Sequence, residues 1–177
     1  MIIPNPDDTQ MAQNIQAQSG VNFNRCFHCK SCANACPFLD AMDYHPNMIL
    51  RMIQLGKDTA VLESGTIWVC VGCNTCCDNC PMAIDIPSVM DALREQAIAQ
   101  QAVVKEPDIL NFHRQVIDSI RRYGRTHKLE IMMRYKLVKR DFFEDIGLGL
   151  TMLKKRKLDL MPKKVKDIKA IERIFEE

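Results

Sequence analysis

Cys26-Phe27-His28-Cys29-Lys30-Ser31-Cys32-Ala33-Asn34-Ala35-Cys36-Pro37 recurs 44 positions later as Cys70-Val71-Gly72-Cys73-Asn74-Thr75-Cys76-Cys77-Asp78-Asn79-Cys80-Pro81. Both stretches read Cys-x2-Cys-x2-Cys-x3-Cys-Pro, and together they use eight of the nine cysteines. This is the thiolate ladder of a pair of [4Fe-4S] cubanes, in which the fourth cysteine of each run ligates the other cluster. The pattern assigns Cys26, Cys29, Cys32 and Cys80 to one cluster and Cys70, Cys73, Cys76 and Cys36 to the second. Two-residue gaps let a tight loop curl around a small iron-sulfide core with backbone N–H groups facing the sulfurs. Pro37 and Pro81 then end each loop by removing a backbone donor and fixing φ.

Other uses of these cysteines fit less well. Structural zinc, commonly held by two Cys-x2-Cys pairs, leaves the third cysteine of each run and the Cys-Pro endings unexplained. Disulfides need an oxidising compartment, and Met1 to Gly20 has neither the basic start nor the apolar core of a secretory signal. The expected location is therefore the cytoplasm. Cys77, beside Cys76, is left over and reads as a small packed hydrophobe. His28 lies inside the first loop, where four cysteines already serve each cluster, so it reads as a packing or hydrogen-bonding neighbour. His45, His113 and His127 stand alone, and no serine, carboxylate or second histidine makes a nucleophile-base pattern with them. Met132-Met133 reads as core.

The formal charge of +2 conceals a division. Residues 1–104 contain five basic and ten acidic residues, whereas residues 105–177 contain nineteen and twelve. Nucleic acid is not the expected partner of the basic end. Lys154-Lys155-Arg156-Lys157 and Lys163-Lys164 are interspersed with Asp159, Asp167, Glu172, Glu176 and Glu177, and no aromatic residues interleave to form a stacking platform. A docking surface for an acidic protein fits better. No stretch approaches the ~18–20 apolar residues of a membrane span.

The punctuation predicts an all-α chain in three parts: a loosely held polar arm at 1–20, a cluster domain at 21–104, and a basic amphipathic extension at 105–177 for subunit docking. The arm has a thin stripe, Met11 and Ile15, that could support a helix over Asp8 to Gln18. Between the cysteine runs lie 33 residues, enough for a helix and a loop. Met48, Ile49, Met52 and Ile53 recur at helical spacing after Pro46, and Gly56 supplies a stop. Thr66-Ile67-Trp68-Val69 is expected to pack the lone tryptophan against the second cluster. After the second run Asp85 caps a helix with Pro87 in its first turn and Val89, Leu93, Ala97 and Ile98 on one face.

No clean period-two run flanks the motifs, so an α-helical ferredoxin is expected rather than the short-stranded kind. In the extension Asp108 should cap a helix bearing Phe112, Val116, Ile120 and Tyr123, closed by Gly124. Further helices are expected over Lys128–Lys139, from a Gly147-x-Gly149 turn to Lys157, and after Pro162 with Val165, Ile168, Ile171 and Phe175 on one side.

The cysteine runs together with Ile67-Trp68-Val69-Cys70, Asp85-Ile86-Pro87-Ser88-Val89-Met90, Arg122-Tyr123-Gly124-Arg125, Leu148-Gly149-Leu150 and Leu160-Met161-Pro162 resemble the C-type iron-sulfur subunit of heterodisulfide reductase and its relatives in bacterial sulfur metabolism. The resemblance implies a helical ferredoxin that relays electrons between a flavin-containing A-type subunit and a B-type subunit with Cys-Cys-Gly domains, where the disulfide chemistry occurs. It implies a wire with two [4Fe-4S] clusters and no catalytic residue of its own. Lys30 departs from the glycine that many relatives carry there. A free ferredoxin, a redox-sensing module and the iron-sulfur subunit of a fumarate reductase-type complex are the alternatives. The last of these usually adds a [2Fe-2S] domain, for which there is no cysteine here.

Overall fold

The computed structural model describes residues 6–139, 147, 151–152, 154–155 and 164–175, and contains no strand among them. The fold is all-α, in two compact units, Met1–Glu106 and Pro107–Glu177.

The first unit is ordered by two copies of one arrangement. A short helical turn, Phe23–Arg25, leads into Cys26, and α5, Thr66–Val69, leads into Cys70. Each run then contains a four-residue helix, α2 (Ser31–Asn34) or α6 (Thr75–Asp78), and these two pack together. Each run is followed by a longer helix with proline in its first turn: α3, Pro46–Gln54, and α7, Ile86–Ala99. Proline suits that position because the missing N–H would have no partner in the helix. Asp85 caps α7 by accepting from Ser88 N at 3.2 Å. A 3-10 turn, Leu39–Ala41, precedes α3, and α4, Asp58–Leu62, follows it.

The core between these helices is formed by Phe23, Ile49, Leu50, Ile53, Val61, Ile67, Val89, Met90 and Leu93, all fully buried. Each aliphatic side chain removed from water in this way contributes roughly 1.5–3 kcal/mol. The N-terminal arm is not loose: Pro6–Ser19 forms α1, which packs on α7 and α3. Its thin stripe suffices because Met11 and Ile15 are both buried. Two other residues depart from expectation. Met48 and Ile98, placed on apolar faces by their spacing, are 45% and 49% exposed, and Leu50 and Met90 take the core positions.

In the second unit α8, Pro107–Tyr123, packs on α9, Lys128–Lys139. Asp108 lies within the first turn of α8 and is not its cap, since Pro107 already begins the helix. Phe112 and Tyr135 meet edge to face, with centroids 5.9 Å apart. Gly124 ends α8 in the left-handed region at φ 73°, and Val165 N donates to Tyr123 O at 2.9 Å, bringing in α10, Ile168–Ile174. His127 is structural. Its Nδ1 accepts from Glu130 N at 3.2 Å at the start of α9, and its own backbone N–H donates to Ser119 Oγ at 2.9 Å. Met132 and Met133 are not core, being 42% and 59% exposed. Gly147 is helical, whereas Gly149 and most of the segment expected to run to Lys157 lie outside the described residues.

Candidate metal centre

Two cavities hold the eight motif cysteines. Cys26, Cys29, Cys32 and Cys80 line the first, with Phe27, Lys30, Ser31, Asn47 and an apolar wall that includes Leu50, Met82 and Ile84. Cys36, Cys70, Cys73 and Cys76 line the second, with Phe38, Met42, Val71, Pro87 and Met90. Ile86 lies on the wall of both. Each cavity thus draws three thiols from one run and one from the other.

The loops take this shape through backbone turns at matching places. His28 and Gly72, one residue before the second cysteine, have φ 53° and 64°, while Lys30 and Asn74, one residue after it, have φ 66° and 62°. Glycine and asparagine adopt this region readily; a lysine does so at a cost of roughly 1–2 kcal/mol. The turns bring polar groups to sulfur. His28 N–H lies 3.4 Å from Cys26 Sγ, and the hydroxyls of Ser31 and Thr75 lie 3.3 and 3.4 Å from Cys29 and Cys73 Sγ.

Three polar side chains that no local motif announces hold the loops in place. From α3, Gln54 Nε2 donates to Phe23 O at 3.0 Å while its Oε1 faces His28 Nε2 at 3.2 Å. From α7, Arg94 donates to the carbonyls of Ile67 and Cys70 and pairs with Asp91 at 2.7 Å. Asp43 joins the end of one repeat to the start of the other. It accepts from Ser64 Oγ at 2.7 Å and from Gly65 N and Thr66 N at 2.9 Å, and pairs with Lys105 at 3.0 Å. Burial raises its carboxyl, but the hydrogen bonds from Thr66, Ser64, Gly65 and Lys105 together outweigh burial and hold it well below the usual range. A carboxylate at the N-terminus of α5 also complements the backbone donors there.

The donor chemistry fits a cationic iron-sulfide core. Burial first, then the neighbouring sulfurs of Cys26 and Cys80, push the Cys32 thiol up to about 11. Cys76 is pushed up to about 12 by burial, then by Cys77, Cys70 and Cys32. Cys70 is raised by burial, with Arg94 opposing and Cys36 adding. The outer pair differ, the Ser31 hydroxyl lowering Cys29 and the Thr75 hydroxyl lowering Cys73. Crowded inner thiols resist becoming thiolates until positive charge arrives among them, which is what iron supplies. Asn47 Oδ1, buried on the wall of the first cavity, has no partner among the described residues. Turned end for end, the same amide offers N–H donors, which suit a cavity lined by sulfur.

The remaining motif neighbours stay outside the cavities. Cys77 stands 44 positions after Ala33, is half-buried, and has Sγ 3.6 Å from Asp85 Oδ1. It lines neither cavity. Trp68 is buried on α5 but does not line the second cavity, contrary to expectation; its Nε1 finds no partner among the described residues.

Comparison with known proteins agrees with this geometry. Residues 22–84 match the 4Fe-4S dicluster domain. The C-type subunit of the H(2):CoB-CoM heterodisulfide,ferredoxin reductase of Methanothermobacter marburgensis is 28% identical over 90 residues, covering 51% of this chain and 49% of the relative. The C-type iron-sulfur subunit of the CoB--CoM heterodisulfide reductase of Methanopyrus kandleri is 31% identical over 80 residues, 45% of this chain and 42% of the relative. Its counterpart in the ferredoxin:CoB-CoM heterodisulfide reductase of Methanosarcina acetivorans is 33% identical over 86 residues, 49% and 34% of the two chains. The chain spans about half, or less, of the length of the curated relatives it matches. The cluster unit is a helical iron-sulfur module similar to that of the C-type subunits of heterodisulfide reductases.

Proposed function

We propose that this chain is an electron-transfer subunit that relays electrons through two [4Fe-4S] clusters within a heterodisulfide reductase-like complex. The observation that carries the reading is the crossed grouping of thiols, three from one run and one from the other in each cavity. On this reading Cys26, Cys29, Cys32 and Cys80 hold one cluster and Cys36, Cys70, Cys73 and Cys76 the other. Bound clusters supply one-electron chemistry. The protein supplies the rest. The His28 N–H donates toward Cys26 Sγ, the Ser31 and Thr75 hydroxyls lie within hydrogen-bond reach of Cys29 and Cys73 Sγ, Ile86 forms a wall common to both cavities, and Gln54, Arg94 and Asp43 tether the loops by hydrogen bonds. Rigidity of this kind limits reorganisation when charge arrives.

All four thiols in each cavity are committed to a cluster, so no ligand position is left for a disulfide substrate. The partners proposed are a flavin-containing A-type subunit and a Cys-Cys-Gly-domain B-type subunit, with the apolar and basic surface of the second unit as the docking element. Supporting that role, Met132, Met133, Leu137 and Val138 of α9 are exposed beside Arg134, Lys136 and Lys139. Anaerobically prepared protein should bind about eight iron and eight sulfide per chain and exchange electrons with artificial dyes. It should not turn over a disulfide alone, and should copurify with the two partner subunits. Stoichiometric zinc without sulfide, or steady disulfide reduction by the chain alone, rejects the proposal.

A further inference from the structure

The two cysteine loops are alike in backbone but not in surface. Phe27 and Val71 occupy equivalent positions at the loop tips, each on the wall of its own cavity, and are 71% and 61% exposed. A single exposed apolar side chain is ordinary on a protein surface, so what distinguishes the two tips is the charge carried beside them. Among the residues that line the first cavity with Phe27, the one charged side chain is Lys30. Exposed Arg25 and Lys30 flank Phe27 in the chain, and Arg51, also exposed, donates at 3.3 Å to Oε1 of Gln54, the residue that holds the loop. Between Asn22 and Leu39 there is no acidic residue. Thus three of the five cations in residues 1–104 gather at this loop although that half of the chain is acidic overall.

The Val71 loop carries no such cation. From Ser64 to Met82 there is no basic residue, Asn74 stands where Lys30 stands, Asp78 is exposed, and the nearby Arg94 is engaged by Asp91 and two backbone carbonyls.

We propose that the tip of the first cysteine loop, Phe27 with Arg25 and Lys30 beside it in the chain and Arg51 on the adjoining α3, is the docking surface for an acidic redox protein that exchanges electrons with the first cluster. This rests on the relay reading above and gives it a polarity: an apolar contact at Phe27, with cations nearby in the chain that attract a carboxylate-rimmed partner and set its orientation. The Val71 tip lacks those cations. Charge of one sign around an apolar centre raises the encounter rate and selects the partner, and both effects fade with salt.

The test uses the full-length, cluster-loaded chain and a reduced acidic flavodoxin as probe, mixed rapidly at low and high ionic strength. The second-order rate should fall about tenfold or more in the double variant Arg25→Glu/Lys30→Glu, and its salt dependence should flatten or invert. Phe27→Ala should slow transfer about fivefold while keeping the salt dependence, whereas Val71→Ala should stay within about twofold. Cluster content and reduction by a small photoreductant are measured on every variant. Equal losses at both tips, a double variant with intact clusters and an unchanged rate, or no transfer from flavodoxin to a wild-type chain that the photoreductant reduces would each overturn the docking surface. A wild-type chain that binds clusters but accepts no electron from either source overturns the relay reading itself.

Discussion

Cys80 and Cys77 stand three residues apart and have opposite consequences. Cys80 reaches across to the cavity of the first run, while Cys77 lines neither cavity. Changing Cys80 to alanine should therefore damage the cluster of Cys26, Cys29 and Cys32 and spare the other, and Cys77→Ala should leave both intact; spectra that resolve the two clusters decide this. Asp43 gives a second residue-scale prediction. Its carboxylate accepts from Ser64, Gly65, Thr66 and Lys105, so Asp43→Asn should cost about 1–3 kcal/mol near neutral pH. Because its folded pKa is depressed, the charged form's contribution is fully present above the unfolded value of about 3.9 and is lost as pH falls through the folded value. The stability gap between wild type and variant, followed by denaturant unfolding, should accordingly narrow as pH drops below about 4. A gap that widened there would refute this account of Asp43.

At the scale of elements, the repeated unit shows how little each helix needs locally. The four-residue helices α2 and α6 have no independent stability at that length; they persist because a left-handed residue precedes each and the partner repeat packs against them. α10 depends in a similar way on the close approach at Gly124. A Cβ at that position would lie 2.7 Å from Val165 Cγ2, on a backbone already at φ 73°. Gly124→Ala should destabilise the second unit by about 1–3 kcal/mol and expose the Val165 amide to hydrogen exchange, without altering cluster content. Unchanged protection at Val165 would mean that the contact with α10 yields freely.

On the scale of the whole molecule, all nine cysteines and the buried core around the two cavities fall within Met1–Glu106. A chain ending at Glu106 should therefore still load iron and sulfide, and should lose copurification with the partner subunits if the second unit is the docking element. Normal assembly of that truncated chain would remove the docking role from residues 107–177. Among the described residues no helix is long and apolar enough to cross a membrane, so any association with one is not made by a helical span of those segments.

Cysteine spacing alone pointed to iron-sulfur chemistry and to the grouping of thiols across runs that the two cavities show, because a cubane imposes ligand intervals that a chain can satisfy in few ways. Proline and glycine punctuation likewise placed α3, α7 and α8, since those residues act within their own turn. Helical periodicity was less informative at the margins: it assigned Met48 and Ile98 to buried faces, and read α1 as loose, because a stripe shows which side chains could be buried and not which surface arrives to bury them. Only the tertiary structure revealed Gln54, Arg94, Asp43 and Asn47 as parts of the site, for their partners lie far away in sequence or are cavity walls. The same holds for the charge contrast between the Phe27 and Val71 tips. It is written in the residues, but becomes a difference between two surfaces only when the fold presents the two loops as copies of one another.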